Sequence, residues 1–192
     1  MSRKLVVVGA SFGGIQAVSS VLRALPRDFG AAVLVCIHLL RFAPSALPAI
    51  LSERGVLPAF HPKNRQRIRP GGIYVAPTDR HLLVERDRVR VVRSPLENLH
   101  RPAIDPLFRS AAYYYGDRVI AVLLTGSDSD GTAGLFSVRM RGGTTIVQNP
   151  EEAQAPLMPF MAIKHVEIEH IVRLSQVAPL LIQLTGSGPL EM

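Results

Sequence analysis

Uninterrupted apolar runs constrain the fold of this chain more than any other feature of its sequence. Three of them lie within residues 5–8, 32–37 and 118–124. A strand is apolar along its whole length when both faces of its sheet are covered, which is typical of a parallel sheet between layers of helices. We therefore predict an α/β fold: a doubly wound, mostly parallel sheet with helices on both faces and a small antiparallel hairpin.

Helical periodicity and turn residues fill the intervals between these runs. The first helix carries Ile15, Val18, Leu22 and Leu25 on one face, at the spacing of an amphipathic helix. No repeat or low-complexity linker interrupts the chain, which we interpret as one domain over residues 1–192. The other predicted elements are helices over 44–52, 107–115, 133–141, 156–164 and 177–184, a strand over 144–148, a hairpin region built from 73–76, 81–84 and 89–92, and a loop over 94–106.

The composition argues against several classes of function. The net charge of +7 comes from basic residues spread along the chain, with few aromatics among them, so we predict no nucleic-acid binding. The single cysteine permits neither an internal disulfide nor a thiolate metal site. No run approaches the ~20 apolar residues of a membrane span, and no signal peptide is recognisable. We therefore predict a cytoplasmic protein without membrane insertion.

The turn Gly9-Ala10-Ser11-Phe12-Gly13-Gly14, directly behind the first apolar run, carries the clearest chemical signal. It lacks the second glycine of a dinucleotide fingerprint, where Ser11 stands, and it lacks the lysine that ends a P-loop. Its first five residues match G-x-S-x-G, a strand-to-helix turn that exposes a nucleophilic serine. Serine is also a common helix N-cap, so Ser11 is interpreted at this point as either a nucleophile or a cap.

Two other predicted strands also end in residues that could complete a hydrolytic site. His38 closes the second run, and Asp128 and Asp130 lie in the polar turn after the third. The carboxyl ends of parallel strands share one edge of the sheet. Hydrolysis by a serine nucleophile needs an imidazole base that a carboxylate holds in place. Each residue also has a structural alternative, as a buried histidine or as ordinary turn chemistry. Cys36, on the same strand face as His38, is interpreted as either inert core or a Cys–His nucleophile.

These residues are part of a longer pattern that resembles one known family across almost the whole chain. The sequence is similar to the catalytic domain of the CheB-type protein-glutamate methylesterases of bacterial chemotaxis. The family's Gly-Ala-Ser-x-Gly-Gly opening is matched at 9–14, its histidine at His38, and its Leu-Thr-Gly-x-x-x-Asp-Gly turn at 124–131. Further matches are Ile73-Tyr74-Val75-Ala76-Pro77-x-Asp79-x-His81, Arg101-Pro102-x-Ile104-Asp105-x-Leu107-Phe108 and Met158-Pro159.

The resemblance implies a reaction and a role for each residue in it. Ser11 is implied as the nucleophile, His38 as the base and Asp130, rather than Asp128, as the carboxylate. The implied reaction is hydrolysis of γ-glutamyl methyl esters on a methylated chemoreceptor, with release of methanol and with glutamine deamidation as a second reaction. It proceeds through an acyl-enzyme and needs no metal or organic cofactor. The backbone N–H groups of Phe12 and Ser127 are the candidate donors of an oxyanion hole.

Some features set this chain apart from the family pattern. Phe12 stands where threonine or alanine is common, Ser127 where methionine is common, and Leu39-Leu40 where methionine-proline is common. The first strand begins near Lys4, which leaves no room for the N-terminal receiver domain of full-length members. We expect a stand-alone enzyme in preference to an excised catalytic domain. Two alternatives are a small-molecule carboxylesterase using the same residues and a non-catalytic signalling module. We also expect the arginines to offer a surface for an acidic signalling protein.

Overall fold

A parallel β-sheet forms the centre of the structure, a computed structural model that describes residues 4–39 and 45–187. The strands are β1 (Leu5–Ala10), β2 (Ala32–Ile37), β3 (Ala59–Phe60), β4 (Ile73–Val75), β5 (His81–Glu85), β6 (Arg88–Val92), β7 (Val119–Leu123), β8 (Thr144–Gln148) and β9 (His170–Val172). Seven of them form the sheet in the order β3-β4-β2-β1-β7-β8-β9, and β5 and β6 form a separate antiparallel hairpin.

Helices cover both faces of this sheet. Alternate residues of β1 show the division, because Val6 and Val8 point into one core while Leu5 and Val7 point into the other. The helices are α1 (Gly14–Arg23), α2 (Leu47–Arg54), α3 (Ile104–Tyr115), α4 (Thr132–Met140), α5 (Leu157–His165) and α6 (Leu174–Thr185), with a 3₁₀ turn at Gly116–Arg118. The first core also contains side chains of α1, α2 and α6, and the second contains side chains of α3, α4, α5 and the hairpin. The predicted fold class is therefore confirmed.

The order of the strands across the sheet reverses at β1. From β1 the chain passes to β2 and onward to β3 and β4, and it later returns to β7 on the other side of β1. Gly9 in β1 lies opposite Cys36 of β2 and opposite Leu123 of β7. Ligand sites in open α/β sheets lie at such a switch point, outside the carboxyl ends of the strands. Ser11, His38 and the turn after β7 all follow these ends.

Several elements differ from the sequence prediction. Ile73–Val75 is wrongly predicted as part of the hairpin region, since these three buried residues form β4 and pair in parallel with β2. Helix α3 begins at Ile104, inside the predicted loop, because Pro106 lies in its first turn, where a proline removes no helical hydrogen bond. Strands β3 and β9 have two and three residues, which is too short for their periodicity to be recognised.

Two predictions involve residues 40–44, which lie outside the described part of the chain. The predicted start of the second helix at Pro44 is one of them, and the described helix α2 begins at Leu47. Leu40, one of the two residues that depart from the family pattern after His38, is the other. Among the helices that the structure describes, none is long and apolar enough to cross a membrane.

Candidate active site

Ser11 lies in the turn between β1 and α1, and its side chain does not cap the helix. The cap position of α1 is taken by Gly13, whose left-handed backbone (φ 76°) lets the chain turn sharply into the helix without a side-chain bond. The Ser11 N–H donates to the carbonyl of Thr125 at 2.9 Å, which ties the turn to the end of β7. The Ser11 hydroxyl lies 3.1 Å from Nδ1 of His38. The hydroxyl is therefore placed against a base, as a nucleophile requires.

His38 joins Ser11 to the third predicted residue of the site. Its backbone N–H donates to the carbonyl of Ala10 at 3.2 Å, and its largely buried ring lies between Ser11 and Asp130. Nε2 lies 2.8 Å from Oδ2 of Asp130, while Nδ1 faces the Ser11 hydroxyl. Since Asp130 can only accept when ionised, the neutral ring carries its hydrogen on Nε2. Nδ1 is then free to take the proton of Ser11.

Asp130 is fully buried and is held by four N–H groups besides His38. Its Oδ2 accepts the Ile104 N–H at 2.6 Å, and its Oδ1 accepts the N–H groups of Asp105 and Gly131 at 3.0 Å each. Nδ2 of Asn98 donates to Oδ1 at 2.7 Å. Burial alone would raise the pKa of Asp130, but the hydrogen bonds from His38 and from the start of α3 outweigh it and lower that pKa. The carboxylate is therefore ionised and fixed in place.

Asp105 makes the complementary contacts at the start of α4. Its Oδ1 accepts the N–H groups of Gly131 and Gly134, at 3.0 and 2.6 Å, and its Oδ2 accepts a second hydrogen bond from Asn98 at 2.8 Å. Burial and the charge of Asp130 raise the pKa of Asp105. Asn98 therefore bridges two buried carboxyl groups. Asp130 accepts backbone N–H groups at the start of α3, and Asp105 accepts backbone N–H groups at the start of α4.

The family motifs outside the triad hold the loop that carries Asn98. Arg101 pairs with the Asp79 carboxylate, which also accepts a bond from Arg93 at 2.9 Å. His81 accepts the Ala103 N–H at Nδ1, 3.2 Å away, and its Nε2 lies 3.0 Å from the carbonyl of Pro95. These contacts fasten both ends of the segment between Pro95 and Ala103.

Backbone N–H groups beside Ser11 are available for an oxyanion hole. Neither the Phe12 nor the Ser127 N–H donates a hydrogen bond to any atom of the described residues. The Gly126 N–H, in contrast, is already bonded to the carbonyl of Ala155 at 3.0 Å. Thr125 Oγ1 donates to the Phe12 carbonyl at 3.0 Å and so holds the turn in position. Phe12 and Ser127 thus stay candidate donors.

A second histidine and a second aspartate lie beside the triad. The ring of His100 stacks on that of His38, with centroids 3.5 Å apart and 9° between the planes. Oδ2 of Asp128 lies 3.3 Å from Nδ1 of His38 and 3.0 Å from Nε2 of His100. These three groups are close enough for a metal site to be considered. Because the two rings lie in parallel planes, their in-plane lone pairs do not converge on one point, and the arrangement does not fit an imidazole-bound ion.

The protonation of these groups is set by their mutual contacts. Burial lowers the pKa of His38, but the carboxylates of Asp128 and Asp130 outweigh it and raise that pKa to about 9. Burial and the nearby charge of His38 lower the pKa of His100. Cys36 is fully buried in the core beneath α3, and burial raises the pKa of its thiol well above the usual value. A Cys–His nucleophile therefore has no support in the structure.

Exposed apolar side chains stand next in sequence to residues of the site or of its packing. Phe12 is 60% exposed, and Leu99, next to the stacked His100, is 85% exposed. Leu157, the first residue of α5, is 47% exposed and precedes Met158, whose side chain packs against Gly126. We call Phe12, Leu99 and Leu157 the apolar rim. A rim of this kind suits a protein surface better than a small polar molecule.

Ser11, His38 and Asp130, the three site residues expected from the sequence, have their side chains together in the structure. Asn98, His100 and the contact of Asp128 with His38 were not expected. Asn98 and His100 lie in an irregular loop, where hydrophobic periodicity carries no information. The one sequence feature that points to Asn98 and His100 is their position just before the Arg101-Pro102 motif. In the structure Arg101 pairs with Asp79.

The sequence is similar to known proteins over nearly its whole length. The CheB methylesterase family model matches residues 6–181. A Leptospira interrogans protein is 34% identical over 96% of this chain and 96% of its own length; it is named provisionally as a protein-glutamate methylesterase/protein-glutamine glutaminase. A Yersinia pestis protein, named a protein-glutamate methylesterase/protein-glutamine glutaminase without that qualification, is also 34% identical, over 97% of this chain and 54% of its own length.

A solved structure supports the same assignment. The crystal structure of the Thermotoga maritima CheB methylesterase catalytic domain superimposes with a TM-score of 0.90, at 31% identity, over 96% of this chain and 100% of that one. Likeness of sequence and fold thus extends over nearly the whole chain, including the elements that carry Ser11, His38 and Asp130. The chain belongs to the CheB methylesterase family.

Proposed function

We propose that this chain hydrolyses γ-glutamyl methyl esters on a methylated chemoreceptor and releases methanol. The observation that carries the proposal is the position of His38, with one ring nitrogen 3.1 Å from the Ser11 hydroxyl and the other 2.8 Å from Asp130. The names of the Leptospira and Yersinia relatives supply the substrate class. The geometry supports acyl transfer to an activated serine as the reaction class.

In the first half of the proposed reaction, Ser11 attacks the ester carbonyl. Nδ1 of His38 accepts the hydroxyl proton as the Oγ–carbon bond forms, and Asp130 stabilises the resulting imidazolium through Nε2. The Phe12 and Ser127 N–H groups stabilise the negative charge on the carbonyl oxygen. When the tetrahedral intermediate collapses, the ester C–O bond breaks and the proton on Nδ1 passes to the departing methoxide, which leaves as methanol.

In the second half, water releases the glutamate side chain. Nδ1 of His38 accepts a proton from the water as it attacks the acyl carbon, and the same proton returns to Ser11 Oγ when the acyl–enzyme bond breaks. The protein is regenerated and the receptor carries a carboxylate. A glutamine side chain could follow the same path with ammonia as the leaving group, so we include deamidation of receptor glutamines in the proposal.

The apolar rim favours a protein substrate over the small-molecule carboxylesterase alternative. Phe12 directly follows the nucleophile in the sequence, and Leu99 and Leu157 add exposed apolar surface that a receptor would bury on binding. A small methyl ester has too little apolar surface to cover these three side chains. The non-catalytic alternative has less support, because a binding module gains nothing from a hydrogen-bonded Ser-His-Asp array.

The acidic signalling partner stays a prediction. Several of the arginines that could bind it are already paired within the chain, which lowers the positive charge they offer to a partner. The pairs and their N–O distances are Arg67–Asp87 at 2.7 Å, Arg93–Asp79 at 2.9 Å, Arg139–Glu167 at 3.0 Å and Arg90–Glu85 at 3.1 Å.

The proposal is tested by comparing two substrates with the purified protein. Receptor methylated with an isotopically labelled methyl group should release labelled methanol, and peptide mass spectrometry should show the matching glutamate. A short-chain chromogenic ester should be hydrolysed far less efficiently, as judged by kcat/KM. Rapid hydrolysis of the chromogenic ester with no methanol from the receptor would instead support the carboxylesterase alternative. Receptor peptides from the same samples show whether glutamine is converted to glutamate.

A further inference from the structure

Nδ1 of His38 faces two oxygen atoms that make opposite demands on it. The Ser11 hydroxyl, 3.1 Å away, donates to Nδ1 when the ring is neutral. Oδ2 of Asp128, 3.3 Å away, can only accept, so it is favourably placed when Nδ1 carries a proton. A ring that already carries this proton cannot take one from Ser11. The two neighbours of Nδ1 therefore correspond to an active and an inactive protonation state.

Asp128 is held in this position by contacts of its own. Its Oδ1 accepts the backbone N–H of Asp130 at 2.9 Å, which fixes the carboxylate within the turn after β7. Its Oδ2 also lies 3.0 Å from Nε2 of His100, whose ring stacks on that of His38. Because the stacked rings are in contact, a positive charge on one opposes a positive charge on the other. Asp128 is thus shared between two histidines that do not readily ionise together.

We propose that Asp128 is a positioning residue that, together with His100, controls whether Nδ1 of His38 carries a proton and therefore whether Ser11 can be activated. The inference rests on the proposed hydrolytic function, because it concerns the base of that reaction. It assigns a role to Asp128 that is distinct from the role of Asp130, which binds the opposite nitrogen of the ring. Asp128 and His100 act through His38 and not on the substrate.

The charged and titratable groups around His38 agree with this role. Asp130 and Asp128 face the two ring nitrogens, and His100 covers one face of the ring. Cys36 lies behind on β2 and Asp105 beyond Asp130, and burial raises the pKa of both. The pKa of Asp128 is lowered, because its bonds to His38 and to the Asp130 N–H outweigh its burial. With a pKa of about 9, His38 is protonated at neutral pH, and its two carboxylate neighbours stabilise that state.

Asp128 should therefore have two opposing effects on the rate. It stabilises the imidazolium that forms as Ser11 attacks, which favours the transition state. It also stabilises the same imidazolium in the resting enzyme, which removes the base from most molecules below pH 9. Removal of the Asp128 carboxylate should slow the reaction at high pH. Near neutral pH it should increase the fraction of molecules in which His38 is neutral and can act as a base. The pH profiles of the two proteins should then differ in shape as well as in height.

The test is the pH dependence of kcat/KM for wild type, Asp128→Asn and the control Asp117→Asn, which removes a carboxylate from the distant, exposed 3₁₀ turn. We expect the acidic limb of the kcat/KM profile to lie one pH unit or more lower in Asp128→Asn than in wild type. At pH 6.5 the activity of Asp128→Asn, as a fraction of its own plateau, should then be about tenfold higher than that of wild type. We expect its plateau to fall. His100→Phe keeps a stacking ring, but it removes both the competing contact to Asp128 and the opposing charge, so its limb should move up.

A measurement without substrate keeps the inference separate from the proposed function. NMR titration of His38, assigned by comparison with His38→Gln, should show the same downward shift in Asp128→Asn and no shift in Asp117→Asn. The inference is wrong, while methylesterase activity stands, if Asp128→Asn and Asp117→Asn share the same acidic limb of the pH profile and the same His38 titration. It is also wrong if His100→Phe moves the acidic limb to lower pH. If wild type releases no methanol, the proposed function fails, and the His38 titration still decides the role of Asp128.

Discussion

Asp130 caps the start of α3, and Asp105, which lies in α3, caps the start of α4. Asp130, two residues before the first residue of α4, accepts N–H groups from Ile104 and Asp105 at the start of α3. Asp105, in the first turn of α3, accepts N–H groups from Gly131 and Gly134 at the start of α4. The carboxylate that orients His38 is therefore part of the packing of two helices. This exchange fixes the position of Asp130 more firmly than a loop could.

Replacement of Asp130 by Asn should separate the catalytic from the structural role of this carboxylate. An amide keeps the shape but places N–H groups against N–H donors, so we expect a loss of about 1–3 kcal/mol in the free energy of unfolding. We also expect kcat to fall by about 10⁴, because the wrong tautomer of His38 is favoured. Chemical denaturation and receptor demethylation measure the two effects. An Asp130→Asn protein that folds and retains most of its kcat would contradict the role assigned to Asp130.

The bridge made by Asn98 should matter most near neutral pH. Asn98→Ala removes the N–H donor shared by Asp105 and Asp130, so we expect a loss of about 1–3 kcal/mol of stability at pH 7. The pKa of Asp105 is already raised in the folded state, and removing Asn98 should raise it further. The loss should shrink as the pH falls and Asp105 becomes protonated. Denaturation across the acidic range checks this, with Asn149→Ala as the control; a loss independent of pH would contradict it.

The protonation of His38 predicts a pH dependence of stability. The pKa of His38 rises from 6.5 to about 9 on folding, so the folded protein binds this proton more tightly than the unfolded chain. The resulting stabilisation is fully present below pH 6.5 and is lost as the pH rises through about 9. At about 1.4 kcal/mol per pKa unit, the loss is on the order of 3 kcal/mol. Urea denaturation between these pH values measures it, and His38→Gln should abolish most of the decline.

Close packing at Gly126 predicts a coupled effect on stability and activity. A Cβ at this position would lie 2.6 Å from the Sδ and Cε atoms of Met158 and 3.0 Å from Cβ of Ser11. Gly126→Ala should therefore destabilise the protein by about 1–3 kcal/mol and displace the nucleophile. Adding Met158→Ala makes room for the methyl group, so the double variant should be more stable than the two single effects predict. Its activity should stay low, because the contact with Ser11 remains. Urea denaturation and receptor demethylation measure the two effects, and full activity of the Gly126→Ala protein would contradict the close packing.

Phe12 should affect the receptor and a small ester differently. Phe12→Ala leaves the backbone N–H next to Ser11 in place but removes exposed apolar surface from the rim. We expect kcat/KM for the receptor to fall by roughly 5- to 20-fold, in line with a moderate interface contact, and hydrolysis of a short-chain ester to change by less than about threefold. Tyr113→Ala, an exposed aromatic far along α3, is the control. Equal changes for both substrates would show that Phe12 acts on the chemistry instead.

The sequence was sufficient for the parts of the fold and site that depend on local patterns. Continuous apolar runs identified β1, β2 and β7, because a strand buried on both faces has this composition, and the residues after those strands were predicted to meet at one edge of the sheet. The sequence permits two interpretations of Cys36, and its full burial favours a residue of the core over a nucleophile.

The other features depend on contacts between distant segments, which no local pattern records. The start of α3 at Ile104 is capped by Asp130, 26 residues away along the chain. The parallel pairing of Ile73–Val75 with β2 involves three residues, so periodicity could not separate it from the nearby hairpin. Asn98 owes its role to two carboxyl groups from two helix starts. Long-range hydrogen bonds of this kind become visible only in the folded structure.

The most direct test of the proposed function is methanol release from labelled, methylated receptor by wild type, Ser11→Ala and the control Ser137→Ala. Ser137 lies on α4, and its hydroxyl donates to the Ala133 carbonyl within the same helix. We expect the control to match wild type and Ser11→Ala to lose on the order of 10⁶ in turnover, as in serine hydrolases that lose their nucleophile. Substantial methanol release by a folded Ser11→Ala protein would contradict the account.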